Sequence, residues 1–117
     1  MLQTKPQRDL TRIPVLDTGP GLPKEFAMLG VRPNPTSGSS TIRYALPSAA
    51  LVNISVYDVS GRHVRTLVDA ALPAGTYQAI WDGHQDRAGG RMATSGTYFI
   101  RFSAAGHSET RRVVIVR

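Results

Sequence analysis

Three histidines, His63, His84 and His107, and the run Asp82-Gly83-His84-Gln85-Asp86 are where this sequence comes nearest to chemistry. Oxygen ligands at alternate positions of a glycine-bearing loop are how hard cations such as calcium are held. Here the middle position is His, a poor calcium ligand, and the position that should carry a bidentate Glu is Ala93. Asp82 and Asp86 are thus the only metal candidates, and turn capping through bonds from backbone N–H groups to their carboxylates accounts for them better. No two histidines stand at metal-pair spacing. Cysteine is absent, which removes disulfides, thiolate metal sites and a Cys nucleophile together. No nucleophile with a base in reach and no carboxylate pair is legible, so neither an enzyme nor a cofactor is expected.

The elements that flank this loop read as strands. From Leu29 onward, short β-type runs alternate with turn signals every 8–12 residues, the pattern of an all-β sandwich. Residues 41–46 (TIRYAL) put Ile42, Tyr44 and Leu46 on one face and Arg43 on the other. In LVNISVYDV, Val52, Ile54 and Val56 alternate with Asn53 and Ser55, which marks a half-buried antiparallel strand. Asp58-Val59-Ser60-Gly61-Arg62 predicts a turn with Gly61 at positive φ and Asp58 bonded to a backbone N–H. Leu72-Pro73-Ala74-Gly75 is a second turn, after which Tyr77, Ala79 and Trp81 share one face and take the only Trp into the core. Residues 97–102 and 109–116 form a C-terminal hairpin. Its second strand, with Val113-Val114-Ile115-Val116 apolar on both faces, is expected to be central or covered from outside. With a short edge piece at Leu29-Gly30-Val31, the count is about seven: a seven-stranded antiparallel immunoglobulin- or fibronectin III-like β-sandwich over residues 29–117.

Residues 1–28 differ. Pro6, Pro14, Pro20 and Pro23, with Gly19 and Gly21, stop helices and interrupt ladders, so this stretch reads as an extended linker or arm. Within it, Ile13, Val15 and Leu16 belong to a short apolar run that, holding a Pro, can pair only at a sheet edge.

In composition the chain of 117 residues is globular, with 41% hydrophobic and 19% charged residues. No apolar run reaches the roughly 20 residues of a membrane helix. The start, MLQTKPQRDL, lacks the apolar stretch of a secretory signal, so export would rely on a signal carried by a longer precursor. The net charge of +6 raises nucleic acid or an acidic polysaccharide as partner. The basic residues are scattered, Arg111-Arg112 being the only adjacent pair, and no nucleic-acid partner is expected. A sugar site would need exposed aromatics, and Trp81, Tyr77 and Tyr98 all face inward by alternation.

Five pieces in fixed order complete the reading: RPNPTSGSSTIRYALP, VYDVSGRHVRTL, LPAGTYQAIWDG, SGTYFIRF and ETRRVVIVR. Together they resemble the C-terminal sorting domain of cargo of the type IX secretion system, in the form related to the immunoglobulin-like domain of the flagellar hook-capping protein. The resemblance spans about Leu29 to Arg117, and the Asn34-Pro35 pair and the basic-apolar-basic end favour the sorting domain. It implies an address and no reaction: a domain read by the outer-membrane secretion machinery on the way through the periplasm to the cell surface. Arg111, Arg112 and Arg117, with Gly96 before the preceding strand, are the signal residues the resemblance implies. An alternative is a subunit of an extracellular polymer, each copy lending its arm strand, with Ile13, Val15 and Leu16, to a neighbour's sheet edge.

Overall fold

A computed structural model describes residues 15–17, 23–86 and 90–117. Among these every regular element is a strand: β1 (Val15–Asp17), β2 (Ala27–Arg32), β3 (Ser40–Leu46), β4 (Ala50–Asp58), β5 (His63–Leu72), β6 (Gly75–Trp81), β7 (Gly96–Ala104) and β8 (His107–Ile115). All pairings between strands are antiparallel. They form two four-stranded sheets, ordered β1-β6-β3-β2 and β5-β4-β7-β8. The seven strands β2 to β8 make the immunoglobulin-like sandwich that the alternation pattern predicts, and β1 adds a short eighth strand from the arm.

The alternating residues meet between the sheets. Ile42, Tyr44 and Leu46 of β3 and Val52, Ile54 and Val56 of β4 are fully buried, as are Trp81, Ile100, Phe102, Val113 and Ile115. Tyr44 stacks on Tyr77 with centroids 5.6 Å apart and tilts against Phe102 at 5.7 Å. Trp81 meets Tyr98 edge-on at 5.3 Å. Each such pair adds about 0.5–1.5 kcal/mol beyond the area it buries.

Two boundaries differ from the sequence expectation. Met28, grouped with the arm, is 1% exposed inside the core, and Phe26 packs against it. The Pro and Gly spacing hides the start of β2, because Pro23 lies only four residues ahead of it. The second difference concerns β8, expected to be central or covered from outside: it is an edge strand, so the central alternative does not hold. Its outward Val114 is half-buried, and Val116, just past its end, is 57% exposed.

The turn after β4 folds as its sequence dictates. Gly61 takes φ 88°, and the Asp58 carboxylate accepts hydrogen bonds from the Ser60 hydroxyl at 2.6 Å and the Ser60 and Arg62 amides at 2.9 and 3.0 Å. The Ser60 hydroxyl bond, then the Arg62 amide, hold the Asp58 pKa below its usual value. With the folded pKa below the unfolded one, ionised Asp58 stabilises the turn above about pH 4, and that contribution is lost as pH falls through the folded value. An NMR titration of the Asp58 carboxyl carbon is expected to give a midpoint below 3.8, and Ser60→Ala to move it upward; an unchanged midpoint in the variant contradicts the assignment.

Tyr44 carries the one core hydroxyl without a partner among the described residues. Burial, and then its neighbour Tyr77, push its pKa well above the usual phenol range. Since an unmet buried hydroxyl costs about 1–3 kcal/mol, Tyr44→Phe is expected to leave the melting temperature unchanged or raise it. A fall in thermal unfolding measurements would mean that the hydroxyl has a partner.

Candidate functional site: a clasp on the C-terminal strand

As an edge strand, β8 leaves alternate peptide groups facing away from β7, and unpaired edges invite foreign strands. From Arg112 onward these groups are met by residues 34–36. Pro33 and Pro35 have no N–H to give to a ladder. Between them the Asn34 carboxamide carries the same donor and acceptor as a peptide group. Its Nδ2 donates to the Arg112 carbonyl at 2.8 Å, and its Oδ1 accepts the Val114 amide at 3.0 Å. Thr36 then continues with its main chain, its N–H donating to the Val114 carbonyl and its carbonyl accepting the Val116 amide, both at 2.9 Å. The result is a short parallel strand, half side chain and half backbone. Thr36 is buried, and its hydroxyl closes the following turn by donating to the Ser39 carbonyl at 2.7 Å and accepting the Gly38 amide at 3.1 Å.

The loop between β6 and β7 completes the clasp. The Trp81 indole donates to the His84 carbonyl at 2.9 Å, and the Ala93 amide donates to the Gly83 carbonyl at 2.7 Å, which folds the loop over the end of the core. Arg117 enters this corner. Its amide donates to Ser95 Oγ at 3.0 Å, and its guanidinium reaches the carbonyls of Ala93 at 2.9 Å, Gly83 at 3.3 Å and Ser37 at 3.5 Å. At Gly83, φ is +84°, and a Cβ would stand 2.9 Å from both Arg117 Nη2 and the Gly38 carbonyl oxygen. That position therefore admits only glycine.

Asp82 and Asp86 face Arg65, which lies 3.7 Å from one carboxylate and 3.8 Å from the other. Asp82 also accepts the His84 amide at 2.9 Å. Burial pulls the Asp82 pKa upward, but the His84 amide, Arg65 and the His84 ring outweigh it and leave the carboxyl below its usual value. Asp86 caps the edge of β5: its amide donates to the Val64 carbonyl at 2.8 Å, and its Oδ2 accepts the Thr66 amide at 2.9 Å. Among the described residues no group of three or more His, Cys, Asp or Glu is placed to hold a metal.

The residues singled out in the sequence part company here. Arg117 is held in the clasp. Arg111 reaches sideways, donating to the Met28 carbonyl at 2.7 Å, while Glu109 Oε2 accepts the Met28 amide at 3.2 Å; these two side chains of β8 tie down the bulged edge of β2. Arg112 is exposed on the outward face of its sheet. Gly96 opens β7 opposite Ile115. Val15 and Leu16 lie on β1, in register with Gln78 and Tyr77 of β6 in the same chain; Ile13 lies outside the described residues. What sequence reasoning missed is the role of Asn34 against β8, because a side chain standing in for a peptide group leaves no periodicity to read.

Residues 33–108 match the model of the FlgD Ig-like domain. The chain belongs to the FlgD Ig-like domain family. No curated protein matches it. Among solved structures, dimeric latent PorU from Porphyromonas gingivalis is similar with a TM-score of 0.61 and 21% identity, over 74% of this chain and 9% of that one. PorZ of the same organism, described as an essential bacterial surface component of its type-IX secretion system, is similar with a TM-score of 0.50 and 20% identity, over 75% of this chain and 11% of PorZ. The chain thus spans only about a tenth of the proteins whose fold it shares. The family match ends at Ser108, so the clasped part of β8 lies beyond it.

The clasp makes a specific prediction. Asn34→Ala is expected to cost about 1–2 kcal/mol and to speed hydrogen exchange at the Val114 amide. Asn34→Asp keeps the acceptor for Val114 but sets a carboxylate against the Arg112 carbonyl, so it should preserve Val114 protection while still lowering stability. Equal Val114 exchange in the wild type and Asn34→Ala would show that the carboxamide does not pair with β8.

Proposed function

We propose that this domain is a non-catalytic sorting and anchoring module that directs a secreted protein through the type IX secretion system to the cell surface. The observation that carries this reading is the clasped β8: the basic-apolar-basic sequence of residues 111–117, on the end of β8 and the two residues after it, is locked at one edge of the sandwich, with Arg112 and Val116 exposed. A signal built this way is displayed only by a folded domain. The shared fold with PorU and with PorZ supports the same reading. Partners are then the outer-membrane secretion machinery, met after passage through the periplasm.

The test is a fluorescent reporter, equipped with an export signal, fused ahead of residues 1–117. In a bacterium with an intact type IX system it is expected at the surface, and in a translocon-deficient strain in the periplasm. Arg112→Ala should reduce surface display without changing the melting temperature, whereas Arg117→Ala should lower the melting temperature first. Periplasmic retention in both strains overturns the proposal.

One observation favours a second reading, assembly by strand donation. β1 covers the β6 edge with three residues only, in the register Val15–Gln78 to Asp17–Thr76. The same pairing made between copies would build a polymer. Light scattering across concentration, on the full chain and on residues 23–117, separates the two. A full chain that is monomeric throughout removes this alternative.

A further inference from the structure

Where an antiparallel sheet faces water, its outward positions are ordinarily polar. The central strands of the β5-β4-β7-β8 sheet depart from this. Tyr57 follows the buried Val56, and Phe99 lies between the buried Tyr98 and Ile100, so alternation turns both rings outward, where each is half-buried. They are direct cross-strand partners. The same register continues to His63 on β5 and Arg112 on β8, giving one row, His63, Tyr57, Phe99, Arg112, across all four strands. With strands about 4.8 Å apart, the row is about 15 Å long. His63 and Tyr57 meet edge to face at 5.7 Å.

The next row places Arg101 between Ser55 and Thr110, so that Phe99 has one guanidinium two residues along its own strand and another directly across. Both arginines are exposed. Arg101 Nε donates to Ser108 Oγ at 3.3 Å, and among the described residues no carboxylate pairs with either arginine. Glu109 alternates to the other side of β8, where the Met28 amide and His107 hold it. Asp69 stands on this face opposite Asn53, two rows from Tyr57.

We propose that this face binds an acidic polysaccharide of the uronic-acid class. Aromatic rings side by side across a sheet suit the C–H faces of successive sugar rings, and planar guanidiniums on two sides of Phe99, Arg101 along its strand and Arg112 across from it, suit carboxylates bidentately. Hydroxyls of Thr97, Ser108 and Thr110 supply the neutral hydrogen bonds that sugars require. An acidic peptide fits less well: extended peptides bind by pairing with a free edge, and at Arg112 the β8 edge is already taken by Asn34. The inference does not rest on the secretion reading. The inward Trp81 and Tyr77 belong to the other sheet and Tyr98 to the inner face of β7, so none of them takes part in this row.

The experiment is a two-dimensional NMR titration of the full chain with an oligogalacturonate of at least four units, beside a neutral maltooligosaccharide and an oligoglutamate of equal charge. Shifts centred on Tyr57, Phe99, Arg101 and Arg112, seen with the galacturonate and at least tenfold weaker with the other two, are expected. Phe99→Ala should weaken galacturonate binding at least tenfold. The surface double variant Arg101→Gln/Arg112→Gln, which keeps the rings, should do the same and remove the salt dependence. An oligoglutamate that binds as tightly and is indifferent to Phe99→Ala overturns the proposal in favour of a basic protein-docking face. Absence of shifts on this face, or shifts that survive the double variant, overturns it outright.

Discussion

An open two-sheet sandwich has four edges, and each exposes a line of peptide groups that must bond to something. Much of this molecule follows from how those groups are met. The β6 edge is met by β1 from the arm. The β2 edge carries a bulge, and its Met28 peptide is answered by the side chains of Glu109 and Arg111. Asp86 answers Val64 and Thr66 on β5, and Asn34 with Thr36 answers β8 from Arg112 to Val116. In three of the four cases a polar side chain does what a neighbouring strand would do, at the scale of one or two hydrogen bonds each. The edge is blocked locally without lengthening the sheet.

These side chains also explain the polar loops. A carboxylate or carboxamide can satisfy two peptide groups only if its own backbone is held close, and the turns around Gly83 and Pro33 to Pro35 hold it there. The loop of residues 82–86 looks like a metal site in outline because it gathers carboxylates and a histidine. Arg65 lies between its two aspartates instead, so the charge that a cation would bring is already supplied by the protein.

The core was legible because burial writes a period of two into the sequence. Ile42-Tyr44-Leu46, Val52-Ile54-Val56 and Tyr77-Ala79-Trp81 were each placed on the inner face from alternation, and each is buried. Position within a sheet is less legible. Val113 to Val116 reads as a strand that is central or covered from outside, and β8 is an edge whose in-plane neighbour is a side chain nearly 80 residues away. The clasp was visible only as a motif, Asn34-Pro35, without its purpose. Tyr57 and Phe99 are legible by the same alternation argument, being out of phase with the buried residues beside them.

The clasp also bears on the order in which the fold is made. Asn34 meets Val114 across a separation of 80 residues, and Arg117 meets Ser37 across the same span. Closing a loop of that length costs chain entropy that no local contact repays, so such pairings belong to the slow part of folding. Hairpins β4–β5 and β7–β8 have close partners in sequence and can form early. Until the residues around 112–117 dock, the segment at residues 33–38 has nothing to pair with, and the corner over Trp81 stays open. The clasp therefore closes after the hairpins that it joins, and it is the last part of the sandwich to depend on both segments at once.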